Sequence, residues 1–192
     1  MSYMKKISVT CAAAVLAAGF AVESAQAATI WATQVDDFTA GTGPIPVNRA
    51  DPLNALGAPD GEMVALGFGG ELVVSFGRLF QSPGKLFEIT FGKTDNHIEI
   101  AEIFAGFGGV FQSVATIDNS SAAGVAGATF TFAGIFDQIK IVDISPMAGG
   151  SVNGFDVDAV GVTPAPIPLP AGGLLLVTAL GGLALTRRRK SA

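Results

Sequence analysis

Glycine punctuation constrains this chain more than any other feature. From Ala28 to Val162 the apolar stretches are short, and clusters of turn-forming residues separate them: Gly77 to Gly84, Gly92 to Asn96, Gly106 to Gly109, Asp118 to Gly127 and Pro146 to Gly154. A helix needs an apolar stripe sustained over three turns or more, and breaks at this spacing do not allow one. Strands need only four to eight residues between turns. They are predicted at Ile30–Val35, Glu71–Phe76, Leu86–Phe91, Ile98–Phe104, Val110–Ile117, Ala128–Phe132, Gln138–Ile144 and Phe155–Val162. Eight short strands without a long helix predict an all-β, eight-stranded antiparallel sandwich.

The alternation supports this. In "FDVDAV", Phe155, Val157 and Ala159 share one face, and Asp156, Asp158 and Val160 the other. In "IKIVDI", Ile139 and Ile141 oppose Lys140. In "HIEIAEIF" the phase slips between Ile100 and Ile103, which predicts a bulge near Ala101-Glu102. "GFGG" occurs at Gly67–Gly70 and again at Gly106–Gly109, and both copies read as turns.

The two ends read differently. Lys5 and Lys6 precede an apolar run from Ile7 to Val22, and Ala25-Gln26-Ala27 is a small-x-small cleavage site. This predicts a signal peptide over residues 1–27 and an exported protein. Cleavage after Ala27 would remove Cys11, the single cysteine, and leave a body without thiol or disulfide. At the other end, Ala171 to Thr186 carries no charge and is followed by Arg187, Arg188, Arg189 and Lys190. A bilayer helix usually needs about 17–25 residues, so this one is marginal. Pro166, Pro168 and Pro170 keep it from starting earlier. The basic cluster would stay on the cytoplasmic side of the inner membrane. The predicted division is a signal peptide at 1–27, a β-sandwich at 28–163 and a C-terminal segment at 164–192.

With both ends set aside, the body from Ala28 to Pro166 holds five Lys and Arg against fifteen Asp and Glu, a net charge of −10. That argues against nucleic acid as a partner, because phosphates demand basic residues.

The tail "IPLPAGGLLLVTALGGLALTRRRK" resembles the PEP-CTERM class of sorting signals, and in particular its VPLPA variant, with Ile167 where Val is usual. The resemblance implies a sorting motif at Pro166, Ile167, Pro168, Leu169, Pro170 and Ala171, followed by a hydrophobic helix and the basic tail. It also implies an exosortase-type processing protease as partner and a Gram-negative source that makes extracellular polysaccharide. On that basis the protein would be anchored transiently in the inner membrane, then cut near Pro168 to Ala171 and passed to the cell surface or beyond. The body, through "NALGAPDGEMVALGFGGELVVSFG", "FEITFG", "IEIAEIFAG" and "GFDVDAV", is similar to galactose-binding-like jelly rolls of the discoidin type. That implies a non-catalytic domain, often with a structural calcium ion, that binds glycans through loops at one end.

The residues themselves carry little catalytic chemistry. A Ser-His-Asp triad needs a base, and the body's one histidine, His97, sits in a polar turn. Asp36 and Asp37 could form a carboxylate pair for glycoside hydrolysis, but sequence neighbours diverge on a strand. Calcium wants several oxygens. Asp156 and Asp158 project from one strand face, and Asp60 lies in the "GAPDG" turn. Otherwise the first two are the solvent face of an edge strand and Asp60 closes an Asx-turn. Sugar rings stack on exposed aromatics. Phe68 and Phe107, each between glycines at a turn, are the ligand-face candidates, unless they cap the core. Trp31 reads as core. The expectation is an exported, non-catalytic cell-surface or matrix protein. A calcium-dependent carbohydrate-binding module for extracellular polysaccharide is the alternative, and a polysaccharide-acting enzyme stands behind it.

Overall fold

The computed structural model describes residues 28–90, 97–122, 127–148 and 150–167. The signal segment with Ala25 and Ala27 lies outside the described residues. So do Pro168, Leu169, Pro170 and Ala171, the hydrophobic tail, and Arg187, Arg188, Arg189 and Lys190.

Nine strands form: β1 (Ile30–Trp31), β2 (Gln34–Thr39), β3 (Val64–Ala65), β4 (Glu71–Glu88), β5 (Ile100–Phe107), β6 (Val110–Asp118), β7 (Ala128–Phe130), β8 (Phe136–Asp143) and β9 (Asp156–Pro164). Every pairing among them is antiparallel. One helical turn, α1 (Asn119–Ala122), follows β6, and two 3-10 turns, Val47–Arg49 and Pro52–Ala55, lie between β2 and β3. Among the described residues the all-β expectation holds, with nine strands rather than eight.

The largest departure is β4. Glu71–Phe76 and the part Leu86–Glu88 of the segment expected at Leu86–Phe91 are not two strands around a turn at Gly77 to Gly84. They belong to one strand of 18 residues that ends at Glu88, and Phe91 lies outside the described residues. Neighbouring strands supply the backbone partners that glycines alone would not. Phe80 pairs with both Phe136 of β8 and Pro164 of β9, and Gln81 pairs with Thr163. Gly77, at φ +68°, takes the bend. The first part of β4 pairs with β2 and β8, and the last part with β7 and β9. β5 and β6 extend the β8 side, while β1 and β3 extend the β9 side. One continuous sheet thus changes partners halfway along its longest strand.

Both regions share one apolar core. Leu72, Val74 and Phe76 enter it from the first part of β4, with Ala101, Ile103, Ala105, Ile139 and Ile141 from β5 and β8. Leu86, Val157, Val160 and Val162 come from the other region. Phe80 is fully buried at the changeover and packs against Phe76, Phe132 and Phe136. Trp31 packs edge-on to Phe87 with ring centroids 5.7 Å apart. β5 has no bulge at Ala101-Glu102: it pairs with β8 without a break, and where the β5–β6 register shifts, between Ile103 and Phe104, the extra residue is Val114 of β6. The phase slip arises because Ile98, before the strand, is exposed.

β9 is also not an edge strand. It lies between β4 on one side and β1 and β3 on the other, and residues 156–162 are buried on both faces. Asp156 and Asp158 therefore do not form a solvent face.

Candidate functional site

Two polar sites result, one at each end of the β4–β8–β5 ladder. At the end where β5 and β6 turn, Phe107 and Val110 pair across the hairpin. The next rungs, Gly106–Gln138 and Gln138–Ser75, lead across the sheet towards β2. A shallow cleft of about 490 Å³ opens here, lined by Asp36, Ser75, Gly108, Gly109, Asp137 and Gln138. Its floor is tied together. Ser75 Oγ donates to Asp36 Oδ1 at 3.0 Å, Gln34 Nε2 donates to the same oxygen at 2.8 Å, and Gln138 Nε2 donates to Asp36 Oδ2 at 2.8 Å. The hairpin is held down by Gly108 N–H donating to Asp137 and Gly109 N–H donating to Gln138 Oε1. Phe107 stands beside these glycines, 57% exposed. Farther along, Lys140 Nζ lies 4.9 Å from the Phe104 ring centre and 3.5 Å from Glu71 Oε2.

The cleft presents a fixed carboxylate and a fixed amide, with which ring hydroxyls can exchange hydrogen bonds, and Phe107 is not among the residues that line it. Among the described residues Asp137 receives only the long Gly108 bond, 3.3 Å at Oδ1 and 3.4 Å at Oδ2, which leaves acceptor capacity on both oxygens.

Phe68 lies elsewhere. It precedes the start of β4, bridges to Thr42 and is half-buried. The first part of β4, Glu71 to Ser75, separates its end of the ladder from that of Phe107. The two phenylalanines do not share a ligand face.

Near the Phe68 end the structure gathers acids. Asp60 closes an Asx-turn, accepting from Glu62 N–H at 2.9 Å. Asp158 Oδ1 accepts from the Asp60 and Gly61 N–H groups at 3.2 and 3.4 Å. Burial raises the Asp158 pKa, while those two N–H bonds work against the rise. Asp156 is committed differently: Arg49 Nη1 lies 3.4 Å from Oδ2, and Asn153 Nδ2 donates to Oδ1 at 3.3 Å. Burial and the charge of Glu99 push Asp156 up to about 7, against the pull of Arg49. Of the residues expected to hold calcium, two thus meet in one turn and the third sits in an ion pair. Among the described residues, no three or more His, Cys, Asp or Glu side chains converge so as to hold a metal ion.

Sequence reasoning missed Glu88 and Glu99, which are 2% and 0% exposed. His97, read in the sequence as a polar-turn residue, places Nε2 2.8 Å from Glu99 Oε1. A signal for Glu88 was present. It shares the parity of Leu86 in "LFE", and Leu86 is core.

No protein-family model matches the chain, and no curated protein matches it. Similar solved structures include the CBM32 of AlyQ in complex with 4,5-unsaturated mannuronic acid, at 16% identity and TM-score 0.46, covering 70% of this chain and 98% of that one. The C-terminal domain of a chitobiase from Bacteroides fragilis shows 13% identity and TM-score 0.46, covering 71% of this chain and 95% of that one. The family 32 CBM from C. perfringens NanJ, in complex with galactose, shows 21% identity and TM-score 0.43, covering 68% of this chain and 98% of that one.

Proposed function

We propose that the chain is an exported, non-catalytic carbohydrate-binding domain of galactose-binding-like jelly-roll type, delivered to the cell surface or matrix through a PEP-CTERM-type tail. The observation that carries the binding role is the cleft at the β5–β6 hairpin. There Asp36, Asp137 and Gln138 present polar groups held in place by a hydrogen-bonded floor. Rigid acceptors and donors favour a hydroxyl-bearing ligand over a flexible or purely apolar one. Asp36 and Asp137 give the cleft a negative sign, as does the net charge of the body, so the favoured ligand is a neutral polysaccharide.

Support for delivery comes from where β9 ends. Ala165 N–H donates to Leu79 O at 3.0 Å, and Ile167, two residues on, is 73% exposed. An exposed Ile167 just beyond the last strand is what a sorting motif open to a processing enzyme would require.

Calorimetric titration of the protein with neutral polysaccharide from the producing cell tests the binding role. Asp137→Ala and Gln138→Ala should each weaken binding about tenfold, or about 1.4 kcal/mol, and Phe68→Ala should leave it unchanged. Saturable binding that survives both cleft variants would place the ligand elsewhere.

A further inference from the structure

Glu88 ends β4 and Glu99 lies just before β5. Each has one carboxyl oxygen satisfied and one bare. Thr90 Oγ1 donates to Glu88 Oε2 at 2.6 Å. Ser151 Oγ donates to Glu99 Oε1 at 2.8 Å, where His97 Nε2 also bonds. Glu88 Oε1 and Glu99 Oε2 are buried without a partner. The two carboxyls nevertheless lie within hydrogen-bonding reach of each other. Two acceptors in contact, out of water, repel unless a donor stands between them.

The surrounding charges show what is missing. From β9 comes Asp156, and the Val47–Arg49 turn brings Arg49, which pairs with it. His97 faces Glu99. Asp143, at the end of β8, is turned to Gly69, Ser145 and Phe155. Among the described residues, the cations that face this group lie against Asp156 and Glu99. Glu88 is left with a neutral hydroxyl on one oxygen and a carboxylate beside the other.

We propose that Glu88 and Glu99 bind one proton between them, carried on Glu88 and donated to Glu99, and that this proton holds the end of β4, the His97–Glu99 segment and the Ser151 turn together. The chain of donors then runs without a gap, from Thr90 to Glu88, from Glu88 to Glu99, and into Glu99 from His97 and Ser151. Burial, followed by the neighbouring Glu99 and Asp156 charges, raises Glu88 to about 9, against the Thr90 bond. The folded state keeps this proton where the unfolded chain has lost it. Its contribution is complete below the ordinary value of 4.5 and is spent as pH rises to about 9. The closure is a pH-sensitive latch that loosens in alkaline surroundings, and it stands independently of the sugar reading.

The full chain, labelled with ¹³C-glutamate, tests this by carboxyl NMR and thermal unfolding at pH 5 to 10. One glutamate carboxyl should keep its protonated shift at pH 7, titrate near pH 9, and vanish from the spectrum of Glu88→Gln. Across pH 5 to 9 the folding constant of the wild type should fall more steeply than that of Glu88→Gln, by up to about tenfold per pH unit. If every glutamate is ionised at pH 7, the proposal is wrong. It is equally wrong if calcium raises and EDTA lowers the melting temperature at pH 8 while the pH slopes of wild type and Glu88→Gln coincide, because a metal ion would then hold the pair. Should Glu88→Gln fail to fold, the wild-type spectrum alone decides.

Discussion

Arg49 and Asp156 show how much a single buried partner can matter. The Asp156 side chain is 3% exposed, and Arg49 lies 3.4 Å away. Without that guanidinium the carboxylate would be an uncompensated charge in the interior, and breaking a buried pair this way costs about 3 kcal/mol. The cost depends on pH, because Asp156 has another way to become neutral. Its folded pKa is raised from 3.8 to about 7, so a bound proton stabilises the fold fully below the unfolded value and is lost as pH rises towards 7. Arg49→Met should therefore destabilise the protein by about 3 kcal/mol at pH 8 and by clearly less at pH 5. Urea unfolding at the two pH values checks it, and an equal loss at both would show that Arg49 acts by packing. At this scale the sequence was legible in part. It showed two aspartates on one face of β9, and the phase is right. It did not show that Arg49, more than a hundred positions away, would face one of them.

Phe80 is the side chain on which β4 depends. It sits where the strand leaves β8 for β9, fully buried and ringed by Phe76, Phe132 and Phe136. Phe80→Ala should cost about 3–5 kcal/mol, the usual range for removing a buried aromatic ring, and should do so cooperatively because both pairing regions share that core. Two separate thermal transitions in the variant would mean that the regions fold independently. The strands were readable where alternation was clean, as in β8 and β9, and β5 and β6 were readable in spite of a phase slip in the first. The span from Gly77 to Gly84 was misread as a turn because glycine and proline signal turns locally. Here two flanking strands supply the pairing that overrides that preference. The same cause turned a supposed edge strand into a central one. Alternation assigns residues to the two faces of a strand, and says nothing of what covers either face or lies at either edge.

For the whole molecule, the charge of the body and the character of the ends set the biology we propose. If the tail is processed as a PEP-CTERM-type signal, protein recovered from the producing cell should have an intact mass lacking Arg187 to Lys190, and it should lie outside the cytoplasm. A recovered mass that retains the four basic residues would refute processing and leave a simple anchor. By itself, the sequence determined the features that are local or additive. These are the β character of the body, the approximate place of most strands, the confinement of the one cysteine to Cys11, and the acidic balance of the body. Only the tertiary structure decided that Phe68 and Phe107 stand at opposite ends, that Asp36, Ser75 and Gln138 build one floor, and that Glu88 meets Glu99 out of water. Those facts depend on antiparallel pairing between residues far apart in the chain. Burial and proximity arise from that pairing, and no window along the sequence contains it.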